Sequence, residues 1–261
     1  MPATHIRFTT HGSGPTRVLV LHDWYCDHTS WDASLPYATT NRFTYVLADL
    51  RGYGLSREMT GSYTLEEAAS DVVSLANHLG WTSFSLLGHS MSSVVVQRVV
   101  QIIPARIARI VVVTPVPPTG MRLGPEVVNA LRSLALATDE ERFAVVSARW
   151  GTRLAETWIR YKLTRWRETA SPVAVASYVT LWACTDISDR ANGIDTPMLI
   201  IAGAQDALPF QMAALKASML PYYPSATLLQ FGESGHYPMQ EQPPLLMTTV
   251  ERFLGQAGGT A

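Results

Sequence analysis

Six short runs along the chain are apolar and rich in β-branched residues: Val18–Leu21, Thr44–Ala48, Phe84–Leu87, Ile107–Val113, Met198–Ala202 and Ala226–Phe231. Runs this short, without polar alternation, predict strands buried on both faces. Between them the apolar period lengthens to that of a helix. Leu65, Ala68, Val72, Ala76 and Leu79 make one such stripe, opened by a capping box at Thr64 and Glu67 and stopped by Gly80. Strand and helix alternate, so the predicted class is α/β, a mostly parallel, doubly wound sheet with helices on both faces.

The alternation breaks after Val113. From Pro115 to Asp195 only helical stripes occur: Val127/Leu131/Leu134, Phe143/Val146/Trp150, Leu154/Trp158/Tyr161, and Val175/Tyr178/Val179/Trp182 behind a Ser171-Pro172 start. Turn-rich segments, Pro115–Gly120 and Arg190–Asp195, bound this stretch. The pattern predicts a core domain made of residues 1–114 and 196–261, with a helical cap, 115–195, inserted between two strands.

Composition narrows the function. With 20 basic against 21 acidic residues, 47% hydrophobic and 16% charged, the chain is core-rich and close to neutral. Disorder, collagen and coiled coil are excluded. No long-range field exists for phosphates, so neither nucleic acid nor a membrane surface is expected as partner, and recognition falls to a pocket for a small molecule. Cys26 and Cys184 make no disulfide framework. Met1 to Gly14 lacks the apolar stretch of a signal peptide, and no apolar run nears the ~18 residues needed to span a bilayer. A cytoplasmic protein is expected.

The strongest chemical signal is Leu86-Leu87-Gly88-His89-Ser90-Met91-Ser92-Ser93, set between a strand and a helix that ends near Pro104. A serine on such a sharp strand-to-helix turn presents its oxygen at the helix N-terminus, and the turn needs small neighbours because the backbone folds back on itself. Ser92 stands where a second glycine is usual. A hydroxyl is a poor nucleophile at neutral pH and needs a base, and the base needs an orienting carboxylate. Asp206 and His236 supply both types in the order Ser, Asp, His, each on a loop after a strand.

These segments, together with Leu21-His22-Asp23-Trp24 and Asp49-Leu50-Arg51-Gly52-Tyr53-Gly54-Leu55-Ser56, resemble the α/β-hydrolase superfamily over essentially the whole chain. The likeness is closest to its small, helical-capped esterase, lactonase and perhydrolase branch. The resemblance implies Ser90 as nucleophile, His236 as general base and then acid, and Asp206 as the carboxylate orienting His236. It implies an oxyanion hole made by the backbone N–H groups of Trp24 and Met91. Asp23 departs from the family, which commonly has glycine there, and puts a carboxylate beside the developing oxyanion.

The loop His22–His28 offers imidazole, thiol and carboxylate groups, but its spacing fits no tetrahedral zinc signature. No metal and no cofactor are expected; no glycine-rich nucleotide loop occurs either. The pocket candidates are Asp23, Tyr25, Trp150, Trp158, Tyr178 and Trp182, alongside Trp24 and Met91. The basic positions Arg149, Arg153, Arg160, Lys162, Arg165 and Arg167 read as the solvated face of amphipathic helices. The reading is a serine hydrolase of a small, largely apolar ester or lactone. Two rivals share the fold: a cofactor-independent dioxygenase and a ligand receptor or signalling protein. The first resembles this chain loosely at Trp24–His28, but its acid follows the strand before the cap, where Thr114-Pro115-Val116-Pro117 has none.

Overall fold

The structure is a computed structural model that describes residues 5–150, 154–191 and 193–256. The chain runs β1 (Phe8–His11), β2 (Thr16–Leu21), β3 (Phe43–Ala48), α1 (Leu65–His78), β4 (Phe84–His89), α2 (Ser92–Ile102) and β5 (Ile107–Val113). Four helices follow without a strand between them: α3 (Pro125–Ser133), α4 (Asp139–Trp150), α5 (Glu156–Thr169) and α6 (Pro172–Ala183). The chain then returns through β6 (Met198–Gly203), α7 (Met212–Met219), β7 (Thr227–Phe231), α8 (Pro238–Glu241) and α9 (Pro243–Leu254).

The strands form one sheet in the order β1-β3-β2-β4-β5-β6-β7. Only β1 runs antiparallel, against β3; every other pairing is parallel. The chain winds outward from β2 to β3, then crosses back to β4 and continues the other way. Loops leaving β2 and β4 therefore diverge, and the crevice between them is where open parallel sheets bind ligands. The predicted α/β class is the observed one. The edge strand β1 escapes the apolar pattern because it is four residues long, Phe-Thr-Thr-His, with both threonines exposed. Nor is β7 buried on both faces as its composition suggests: it is the other edge, and Leu229 is 40% exposed.

Helix α1 starts as its sequence dictates, with the Thr64 hydroxyl accepting from the Glu67 N–H at 3.2 Å. The Glu67 carboxylate accepts from Tyr63 N–H, one residue before the cap. In α5 the buried stripe is Ile159, Lys162, Leu163 and Trp166, while Tyr161 is 48% exposed. The expected stripe through Leu154 and Tyr161 is thus rotated around the helix. Among the described residues no helix is long and apolar enough to cross a membrane.

Candidate active site

The tight end of β4 is made by small residues. A Cβ on Gly88 would lie 2.7 Å from the Val96 side chain and 3.1 Å from the Ser92 carbonyl. Ser90 takes φ +49°, the left-handed region that a residue with a Cβ rarely enters. Its N–H donates to the Val113 carbonyl of β5 at 3.0 Å. Ser92 fills the second-glycine position usefully: its hydroxyl donates to the His89 carbonyl and accepts from the His89 N–H. Ser93 closes the turn by donating to the Ser90 carbonyl at 2.6 Å.

Three strand ends bring Ser90, His236 and Asp206 together. Ser90 Oγ lies 2.9 Å from His236 Nε2, and His236 Nδ1 lies 2.7 Å from Asp206 Oδ2. All three are buried, and Asp206 Oδ1 also accepts from the Ala207 N–H. The His236 loop is held from several sides. Its carbonyl accepts from His89 Nε2 at 2.7 Å and from the Thr114 hydroxyl at 3.1 Å. Glu241 accepts from the N–H groups of Gly235 and Tyr237, on either side of the histidine. Phe210 packs edge-on against the imidazole.

The second wall is the loop after β2. His22 is structural: one ring nitrogen donates to the Asp23 carbonyl and the other accepts from the Leu50 N–H. The Trp24 indole N–H donates to the Val175 carbonyl of α6 at 2.7 Å. The backbone N–H groups of Trp24 and Met91 find no acceptor among the described residues. Both residues line a narrow cavity together with Asp23, Tyr25, Ser90, Val116, Trp182, Phe210 and His236; its free volume is about 10 Å³, the room of about one water.

Of the expected pocket residues, Asp23, Tyr25 and Trp182 line the cavity, and two do not. Tyr178 is fully buried between the rings of Tyr53 and Tyr63. Trp158 packs edge-on against Tyr237. The Trp150 side chain lies outside the described residues, as do the side chain of Arg149 and all of Arg153. Val116, just past β5, and Phe210, on the loop after β6, complete the lining, and neither carries a pattern in the sequence that marks it as pocket-facing.

Asp23 is 1% exposed. Its Oδ1 accepts from the Tyr25 N–H at 3.3 Å, and Oδ2 accepts from the Tyr237 hydroxyl. Burial favours its neutral acid, but His89, Lys162 and the Tyr237 hydroxyl outweigh burial and hold the pKa at about 2. Burial drives His89 the other way, down to about 3, against the pull of Asp23, so its ring is neutral near pH 7. Lys162 is not on a solvated face: it is 4% exposed, and its Nζ donates to Cys26 Sγ at 2.5 Å. The signal was present in the sequence, since position 162 falls on the stripe set by Ile159, Leu163 and Trp166. Arg165 is likewise drawn in, 3.0 Å from Asp27.

Among the described residues two groups have the donor set to chelate a cation, Asp23 with His89 and His236, and Asp27 with His28 and Asp49. Their oxygens are already engaged by protein donors. Asp49 accepts from the His28 N–H, the His28 ring and the Leu55 N–H, and Asp27 from Thr29 and Arg165.

The sheet order, the strained serine turn and the Ser–His–Asp chain define an α/β hydrolase. The model described as alpha/beta hydrolase family matches residues 18–247, and the chain belongs to that family. It is 30% identical to the pimeloyl-(acyl-carrier protein) methyl ester esterase of Sodalis glossinidius over 217 residues, 76% of this chain and 79% of that one. Over 217 residues it is also 26% identical to the bifunctional esterase/perhydrolase of Acinetobacter calcoaceticus, covering 76% and 78% of the two chains. The enol-lactonase from Burkholderia xenovorans superposes with a TM-score of 0.80 at 22% identity, over 96% of each chain.

Proposed function

We propose that this chain is a serine hydrolase that cleaves a small, largely apolar carboxylic ester or lactone through an acyl-enzyme at Ser90. One observation carries the reading: a buried serine, imidazole and carboxylate in a continuous hydrogen-bonded chain, beside two backbone N–H groups that find no acceptor among the described residues. Ser90 Oγ attacks the carbonyl carbon as His236 Nε2 takes its proton. The negative charge that forms on the carbonyl oxygen is met by the Trp24 and Met91 N–H groups, each worth about 3–4 kcal/mol when removed. The tetrahedral intermediate collapses, and the leaving alkoxide takes the proton from His236; in a lactone that alcohol stays tethered. Water, deprotonated by His236, then frees the acid and restores Ser90. Asp206 holds the imidazole in the tautomer that accepts at Nε2.

Residues 115–195 form the cap in this reading and close the pocket through Val116 and Trp182. The cavity's lining by Trp24, Tyr25, Met91, Val116, Trp182 and Phe210 favours an apolar acyl group. Esterase activity in the two named relatives supports the same class. The carboxylate against His236 is Asp206, after β6, and the position after β5 is Thr114, an arrangement that favours hydrolysis over the dioxygenase reading. A series of p-nitrophenyl esters of rising chain length, run beside lactones, tests the proposal. Turnover should peak at short acyl chains and a fluorophosphonate should label Ser90; an unlabelled Ser90 in active protein overturns it.

A further inference from the structure

A carboxylate one residue from the Trp24 N–H is a liability for the proposed chemistry. Two like charges close together in a dry site repel strongly, and Asp23 lines the same cavity in which the oxyanion would form. Among the described residues the titratable groups facing Asp23 are Cys26 on its own loop, Tyr53 after β3, His89 at the end of β4, His236 and Tyr237 after β7, and Lys162 from α5. Burial keeps the thiol and both phenols protonated. His89 is neutral, and in the mechanism His236 carries charge only while it holds the serine proton. The standing cation of the group is the Lys162 ammonium.

Lys162 is buried where a lysine is costly. Its Nζ donates to Cys26 Sγ and lies 3.9 Å from the centre of the Tyr237 ring. Cys26 is two residues past Trp24, and the Tyr237 hydroxyl is the donor to Asp23. The two nearest contacts of this ammonium therefore touch the oxyanion loop and the partner of its carboxylate, and a third, looser one is to the Trp158 ring, 5.8 Å to its centre.

We propose that Lys162, carried by an inserted helix, is the counter-charge that allows an acidic residue to brace the oxyanion loop: a positioning residue for hydrolysis. Asp23 ties down the Tyr25 N–H and, through Tyr237, joins this loop to the one bearing His236. Lys162 cancels the charge that this brace brings. The inference rests on the serine-hydrolase reading, and it predicts that α5 contributes to rate and not only to the shape of the pocket.

The test is a double-mutant cycle on the full chain, with wild type first shown to label at Ser90 so that failure of the hydrolase reading is seen separately. K162M should lower kcat on an activated ester by about 30-fold with KM within about 3-fold. The deficit should shrink as pH falls, because the unpartnered Asp23 takes up a proton. K162R should recover most of the rate. In the D23N background, which keeps an oxygen for the Tyr25 N–H, K162M should cost less than about 3-fold. An equal loss in both backgrounds, or a loss independent of pH, overturns the proposal and leaves Lys162 as packing. Should K162M alone not fold, the double variant decides: a rate within about 5-fold of wild type supports the pairing, and a loss of about 30-fold or more overturns it.

Discussion

Gly203 ends β6 three residues before Asp206, and its hydrogens face the backbone that precedes His236. A Cβ built there would lie 2.1 Å from the Gly235 carbonyl oxygen and 2.7 Å from that of Ser234, where real contacts do not fall below 3.0 Å. Both obstacles are backbone, so no side chain can rotate out of the way. In Gly203→Ala the segment bearing His236 must withdraw by roughly 1 Å, a shift of the size that costs about 10²-fold when a catalytic group is misplaced. Overpacking should also cost about 1–3 kcal/mol of stability. The measurement is kcat on a short p-nitrophenyl ester, the rate of fluorophosphonate labelling of Ser90, and the midpoint of thermal unfolding. Gly232→Ala is the control: it lies on the next strand's exit, and nothing stands within 4 Å of its Cβ. Wild-type kcat and labelling in Gly203→Ala would refute the claim that this contact sets the position of His236.

Ser90→Ala and His236→Ala should each lower turnover by several orders of magnitude with the fold intact, and the double variant should be barely slower than either, since the pair acts as a unit; strictly additive losses count against that. Peptide mapping after fluorophosphonate treatment should find the label on Ser90 and on neither Ser92 nor Ser93. Acid should destabilise the protein through His89. Its folded pKa, about 3, lies below the ordinary 6.5, so the unfolded chain binds the extra proton between those values; stability is full above about pH 6.5 and falls by up to about 4 kcal/mol on descent toward pH 3. Replacing His89 with Gln should flatten urea-melt stability across that window, and an unchanged slope would point to other groups.

Most of the architecture was legible because buried parallel strands leave an unmistakable apolar run, and the serine turn leaves a fixed spacing. Ser90, Asp206 and His236 could be picked out because each follows such a run. What stayed hidden obeys weaker rules. β1 is an edge, so half its residues meet water and carry no signature. The pocket's lining depends on which side of a helix or loop turns inward, and in α5 the aromatic residues suggest a stripe rotated from the one that is buried. Tyr178 and Trp158 are aromatic for packing against other rings, not for facing a ligand. Lys162 was hidden by its chemistry: a lysine is expected in water, and only its place between Ile159 and Leu163 says otherwise.

The carbonyl of His236 accepts from the last residue of β4 and from Thr114, just past β5. The histidine loop is thus fastened to the two central strands and does not hang from its own edge strand, β7. Its local melting is coupled to the sheet's. An edge strand as exposed as β7 should fray well before the centre of the molecule opens, yet the residue on its far end is secured elsewhere. On slow heating, activity should therefore disappear together with the core's cooperative unfolding transition, and not at some lower temperature where the periphery first comes loose.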